Sequence, residues 1–211
     1  IRATLSRPAR VAALVTLALT VPLAVVGARP WDKDVMASGA YVYAELYAKQ
    51  KDLSAAIHDQ TRLFYEEDTE AIIAVYRSES VVSLRTNGKV EASSSGDMLT
   101  QKMISHLPLL YFDQPADLCM IGLASGISLG SALAYPEVRR ADCVEMLEGM
   151  REASSHFKRY NHDCLADPRT HIIINDGRNH LLLTDRRYDV IISQPSNPWI
   201  AGISTLFTRE S

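Results

Sequence analysis

The chain has 211 residues, 47% of them apolar and 22% charged, with a formal net charge of −3. That is the composition of a folded protein with room for one ordinary domain and additional elements. Its lysines and arginines are scattered rather than clustered, which argues against a phosphate-backbone footprint, so no nucleic-acid partner is expected. Cys119, Cys143 and Cys164 are odd in number and lack C-x-x-C spacing. They read as buried or free thiols in a reducing compartment, and no metal is expected.

Residues 11–28, VAALVTLALTVPLAVVGA, carry no charge and lie between Arg7 and Arg10 on one side and Arg29 on the other. An N-terminal apolar helix within 1–30 is expected, close to the lower length limit for crossing a bilayer. Pro22 would kink it, which membrane helices tolerate. The alternatives are a signal peptide, since Arg2, Arg7 and Arg10 resemble a charged leader, and a buried core helix. A membrane span would tether the protein there and leave its α/β part in the cytoplasm. Residues 31–61 are expected to be a linker or interfacial segment. Tyr41, Tyr43, Leu46 and Tyr47 suit one helix face, and with Trp31 they equally suit an interfacial belt.

From Leu63 the apolar period becomes two. LFYEED, EAIIAVYR, SVVSLRT and KVEAS read as strands, with Asn87-Gly88 the tight turn before the last. A small antiparallel β module is therefore expected, filling 62–107 together with a helix that starts at Asp97 and stops at Pro108.

Residues 108–211 then alternate strand and helix. Strands are expected near 117–122, 140–145, 170–175 and 188–193, and helices near 127–135, 147–160 and 177–184. Such alternation predicts an α/β fold whose parallel sheet has right-handed crossovers, in order 3-2-1-4. Ile1 is not a methionine, and Thr208–Ser211 reads as the opening of a helix. Four strands also fall short of the about five that a doubly wound sheet needs, so a sheet truncated toward the C-terminus is expected.

The stretch LCMIGLASGISLG (118–130) empties a short apolar run into glycines at the start of a helix. This arrangement presents backbone N–H groups to a nucleotide-like ligand. The spacing Gly122-x-Ala124-x-Gly126 departs from G-x-G-x-x-G, with Ile127 in the last slot, and suits adenosyl-methionine-type folds better than NAD. A tight turn without a ligand is the alternative. Glu145 closes the second strand, where a carboxylate can accept both ribose hydroxyls; it also suits a solvated position beside a helix N-cap. Asp176, before Gly177, can accept the exocyclic amine of adenine or simply cap a helix. Gln194-Pro-Ser-Asn-Pro-Trp199 follows the fourth strand, where open α/β sheets place reactive groups. Its prolines would present Gln194, Ser196 and Asn197 to a ligand, or merely pack Trp199 on the core. His106, His162, His171 and His180 show no ligand spacing.

These residues together resemble a known family. NGKVEAS (87–93), GDMLTQKMISHLPLL (96–110), IGLASG (121–126), VEMLE (144–148), NDGRNHL (175–181), YDVIISQPSNPW (188–199) and LFTRE (206–210) resemble spermidine synthase-like proteins, particularly bacterial membrane-fused forms. The resemblance implies a class I methyltransferase-like Rossmann sheet behind a small β module. It implies decarboxylated S-adenosylmethionine as aminopropyl donor and a diamine as acceptor, with a homodimer left open. Gly122, Ala124, Ser125, Gly126, Glu145, Asp176 and Gly177 would then hold the donor, and Gln101 and Ser196 would meet the substrate.

Departures fall where the chemistry would be. Aminopropyltransferases carry aspartates where this chain has Gln194 and Asn197, and an acidic residue where it has Ser125. An alkylamine titrates near about 10, so its attack needs a base or a site that favours the neutral amine. Amides supply neither charge nor a proton acceptor. Gln194, Asn197 and Asp97, a substitute anion, are the catalytic candidates. Two other readings stay open: an S-adenosylmethionine-dependent methyltransferase, since N-P-W loosely matches N-P-P-[YFW] loops, and a non-catalytic nucleoside-binding domain on a transporter-like membrane part.

Overall fold

A computed structural model describes residues 6–27, 31–114 and 116–194. The chain divides into two compact units, Ile1–Asp32 and Lys33–Ser211. The first contains helix α1 (Arg7–Gly27), with Pro22 inside it. Among the described residues no helix is long and apolar enough to cross a membrane, so the expected span over 11–28 is not shown. Arg7 and Arg10 occupy the helix start, and the charge-free remainder runs from Val11 to Gly27. Ala28 lies outside the described residues.

The second unit opens with three short helices, α2 (Lys33–Met36), α3 (Ala44–Tyr47) and α4 (Leu53–His58). Asp52 caps α4 by accepting the Ala55 N–H at 3.0 Å. Only Leu46 and Tyr47 of the expected aromatic face are helical. Each tyrosine hydroxyl has a partner inside the unit instead: Tyr41 donates to the Asn87 carbonyl at 3.1 Å, Tyr43 accepts from the Val90 N–H at 3.0 Å and Tyr47 donates to the Ser38 carbonyl at 3.1 Å.

An antiparallel meander follows in sequential order: β1 (Thr61–Glu67), β2 (Ile72–Ser78), β3 (Val81–Thr86) and β4 (Lys89–Ser93). Asn87 (φ 50) and Gly88 (φ 79) both take positive φ, as the two-residue hairpin demands. Gly88 also has no room for a side chain, because an added Cβ would sit 2.3 Å from the Gly39 nitrogen.

Helix α5 (Met98–Tyr111) then runs through Pro108, contrary to the expected stop there. Proline removes one intrahelical bond, but the continued turn buries Leu109 to 2% exposure. Burying such a side chain is worth about 1.5–3 kcal/mol, comparable to the ~3 kcal/mol proline penalty.

Four parallel strands form the second sheet: β5 (Asp117–Ile121), β6 (Arg140–Glu145), β7 (Thr170–Ile174) and β8 (Val190–Ser193). Their order is β7-β6-β5-β8, the expected 3-2-1-4. In register, Met120 stands opposite Cys143 on β6 and Ile192 on β8. The helices between them are α6 (Ile127–Leu133), α7 (Met150–Ser155) and α8 (Gly177–Leu183).

The helix expected over 147–160 is much shorter. After α7 the chain descends through turns with His162 (φ 56) and Asp163 (φ 50) left-handed, into a 3₁₀ turn at Cys164–Ala166. Tertiary contact overrides helix propensity there. The buried Asn161 amide donates to the Ser125 carbonyl at 2.9 Å and the Ser154 carbonyl at 3.0 Å, a bond pattern that a continuous helix could not place. One buried apolar cluster joins the two sheets, from Ile73, Val75 and Leu84 of the meander to Leu118, Met120 and Val190 of the parallel sheet.

Candidate functional site

The bend after β5 places the site. Gly122 (φ +92) and Gly126 (φ +75) adopt backbone conformations that favour glycine, and Ala124 (φ 45) joins them at a cost of about 1 kcal/mol for a residue with a Cβ. The Gly122 N–H donates to the Val144 carbonyl at 2.8 Å, tying the bend to β6. Glu145 ends β6 and folds back under it. Its Oε2 accepts the Leu123 N–H at 2.9 Å and its Oε1 accepts the Leu147 N–H at 3.0 Å. The carboxylate thus spends one lone pair per oxygen on backbone and keeps the others.

A cleft of ≈ 210 Å³ lies at the carboxyl ends of β5, β6 and β7. Gly122, Glu145, Asp176, Gly177 and Gln194 line it, five of the residues expected from sequence. Asp176 is also the N-cap of α8, with Oδ1 accepting the Asn179 N–H at 2.8 Å. Gly177 packs closely on β5, where an added Cβ would meet Ile121 at 2.5 Å. Gln194 donates its backbone N–H to the Ile121 carbonyl at 3.1 Å and stands beside Gly122.

Asp97, Gln101 and Ser125 are brought together elsewhere, behind the bend. Asp97 accepts from the Ser93 N–H at 3.0 Å, from the Ser93 hydroxyl, and from the Gln101 amide at 3.0 Å. Gln101, buried at 3% exposure, also donates to the Ser93 carbonyl at 2.9 Å and accepts from the Ser125 hydroxyl. With three donors on its carboxylate, Asp97 ties β4 to α5 and is not among the described residues that line the cleft. Gln101 and Ser125 carry that brace to the glycine bend, and Ala124 likewise is not on the cleft wall. Ser196 and Asn197 lie outside the described residues.

Six further residues line the cleft without having been expected as site residues: Glu91, Ile121, Val144, Met146, Asn175 and Ser193. Glu91 is the important one. It projects from β4 and pairs with Lys89 at 3.0 Å. Glu91 has no partner of its own on β3, where Leu84 faces Ala92 and Arg85 faces Val90 across a β-bulge, so alternation in the KVEAS segment gives no signal for it. It matters because it brings a carboxylate to the cleft from the β module.

The cysteines are buried and free. Burial pushes the thiols of Cys119 and Cys164 up to about 11 and about 12, and burial with the nearby Glu145 charge holds Cys143 well above its ordinary range. Protonated thiols are poor ligands and nucleophiles. Histidines His106 and His180 bond to tyrosine hydroxyls, of Tyr135 at 2.9 Å and Tyr188 at 2.8 Å.

A parallel sheet in 3-2-1-4 order, with a glycine bend braced by the acid closing the second strand, defines a class I methyltransferase-like Rossmann arrangement. The chain belongs to the spermine/spermidine synthase family, whose spermine/spermidine synthase domain matches residues 97–211, more than half its length. It is 29% identical over 148 residues to a polyamine aminopropyltransferase of Archaeoglobus fulgidus, covering 69% of this chain and 54% of that protein. It is 30% identical over 127 residues to putrescine N-methyltransferase 3 of Nicotiana tabacum, covering 60% and 33%. A solved spermidine synthase in complex with the transition state analogue AdoDATO shares the fold, with TM-score 0.63 and 23% identity over 70% of this chain and 50% of that one. The spermidine synthase of Thermotoga maritima gives TM-score 0.58 and 21% identity, covering 63% and 47%. The chain spans about half the length of the aminopropyltransferases it matches.

Proposed function

We propose that the cleft binds decarboxylated S-adenosylmethionine and that the protein transfers its aminopropyl group to a diamine. The observation that carries this reading is Glu145, which holds the Leu123 N–H at 2.9 Å while lining the same cleft as Asp176. Glu145 accepts the two ribose hydroxyls on its remaining lone pairs, and Asp176 accepts the adenine amine. Glu91, Glu145 and Asp176 give the cleft a negative lining that favours a sulfonium over a neutral thioether.

In the transfer, the acceptor nitrogen attacks the propyl carbon bonded to sulfur. The C–S bond breaks, its electron pair neutralises the sulfonium as methylthioadenosine, and the new ammonium loses a proton. The acceptor must arrive as a neutral amine at the reacting end. Gln194 accepts a hydrogen bond from that amine without taking its proton. Glu91 supplies an anion and a proton acceptor that neither Gln194 nor Asn197 can provide, and it pairs with the far ammonium or receives the proton.

Methyl transfer to an amine is the second reading. The neutral Gln194 at the cleft favours it, together with the likeness to putrescine N-methyltransferases. Calorimetric titration of the protein with decarboxylated and intact S-adenosylmethionine separates the two. Tighter binding of the decarboxylated form supports aminopropyl transfer. Tighter binding of the intact form overturns it in favour of methyl transfer, and binding of neither overturns both.

A further inference from the structure

Arg85, on β3, is a buried cation whose partners carry no charge. It is 9% exposed. Its guanidinium donates to the Ala37 carbonyl at 3.3 Å and to the Gln60 side-chain carbonyl, and it lies over the Tyr76 ring, 4.5 Å from the centroid. Its Nε–H has no hydrogen-bond partner. The acid beyond that ring, Asp34, accepts from the Tyr76 hydroxyl at 2.9 Å but is already paired with Arg62. A guanidinium has five N–H donors in a fixed fork, so most of this fork is unspent. Burying such a charge without an anion is costly.

Arg85 also lines a cavity of ≈ 360 Å³ between β3–β4 and the segment carrying α3 and α4. That volume falls within the about 300–1,000 Å³ of small-molecule sites. Tyr43, Leu46, Tyr47 and Ala56 supply its less polar walls, and Asp59 adds a carboxylate. None of its lining residues belongs to the cleft at Gly122 and Glu145.

We propose that this cavity binds a small organic monocarboxylate. The carboxylate pairs with the Arg85 fork, whose planar geometry matches two oxygens, and the apolar body lies against Tyr43, Leu46 and Tyr47. Charge selects the class: Arg85 attracts an anion, and the Asp59 carboxylate in the same wall opposes a dianion more strongly than a monoanion. The site is independent of the transferase reading.

The test is calorimetric titration of the protein with benzoate and, separately, with inorganic phosphate. One benzoate per chain is expected, bound about tenfold or more tighter than phosphate. Arg85→Gln removes the charge and Ala56→Leu fills the cavity while keeping Arg85; each lowers benzoate affinity by about tenfold or more. Circular dichroism establishes that each variant is folded. If only one folds, that variant and the wild-type preference decide the matter. Absence of saturable benzoate binding to the wild type, tighter binding of phosphate, or undiminished affinity in a folded variant overturns the proposal.

Discussion

The Glu145 carboxylate holds the backbone N–H of Leu123 at 2.9 Å across the gap between β6 and the glycine bend. Its other oxygen holds the Leu147 N–H at 3.0 Å, so one side chain fixes both sides of the cleft's floor. Leucine 123 is 1% exposed, which leaves its N–H no access to bulk water should the carboxylate be removed. The bend is therefore a preorganised cradle that exists before any ligand arrives.

Removing that brace costs stability. Glu145→Ala is expected to lower the unfolding free energy by about 1–3 kcal/mol, the penalty for an unsatisfied buried donor. Urea denaturation with an unchanged m-value checks it. Faster amide exchange at Leu123 places the effect at the bend.

Glu91 acts on the acceptor in this account and leaves the donor alone. Glu91→Gln keeps shape and hydrogen bonding but deletes the charge beside Lys89. The expected result is a rise of about tenfold or more in putrescine KM, worth about 1.4 kcal/mol, with donor affinity changed by less than about threefold. Steady-state kinetics with varied donor and varied acceptor reads both.

Gly130 has no room for a methyl group. An added Cβ would sit 2.1 Å from the Asn161 carbonyl oxygen, and that neighbour is backbone. Gly130→Ala should therefore destabilise the protein by about 1–3 kcal/mol despite the better helix propensity of alanine. At about 2–4 °C per kcal/mol for a chain of this size, a thermal melt shows the loss readily.

The antiparallel meander and the parallel order were legible because their signals are local. Alternation, the Asn87-Gly88 turn and apolar runs punctuated by glycine all act within a few residues. Glycine spacing, the acid that ends β6 and the acid after β7 point likewise to Gly122, Glu145 and Asp176, which line the cleft. What escaped depends on contacts far apart in sequence. The helix after Glu145 stops early because Asn161 reaches Ser125, 36 residues away. Asp97 bonds to Ser93 and Gln101, contacts that its position in the sequence does not announce. Helix α5 passes Pro108 because Leu109 finds a buried place, which no propensity scale records.

Burial makes the three cysteines inert. With the thiols of Cys119 and Cys164 pushed up to about 11 and about 12, and that of Cys143 higher than its ordinary range, little thiolate exists at pH 8. Iodoacetamide should leave all three unmodified in the native protein and label all three in denaturant. Intact mass spectrometry distinguishes the outcomes.

In the proposed function, Glu145 grips the sugar of an adenosyl ligand. Titration of methylthioadenosine and its 2′,3′-dideoxy analogue into the wild-type protein and Glu145→Ala measures that grip. The wild type should bind the hydroxyl-bearing ligand at least about tenfold more tightly, about 1.4 kcal/mol, and the variant should not distinguish the two. Equal affinities in the wild type would contradict it.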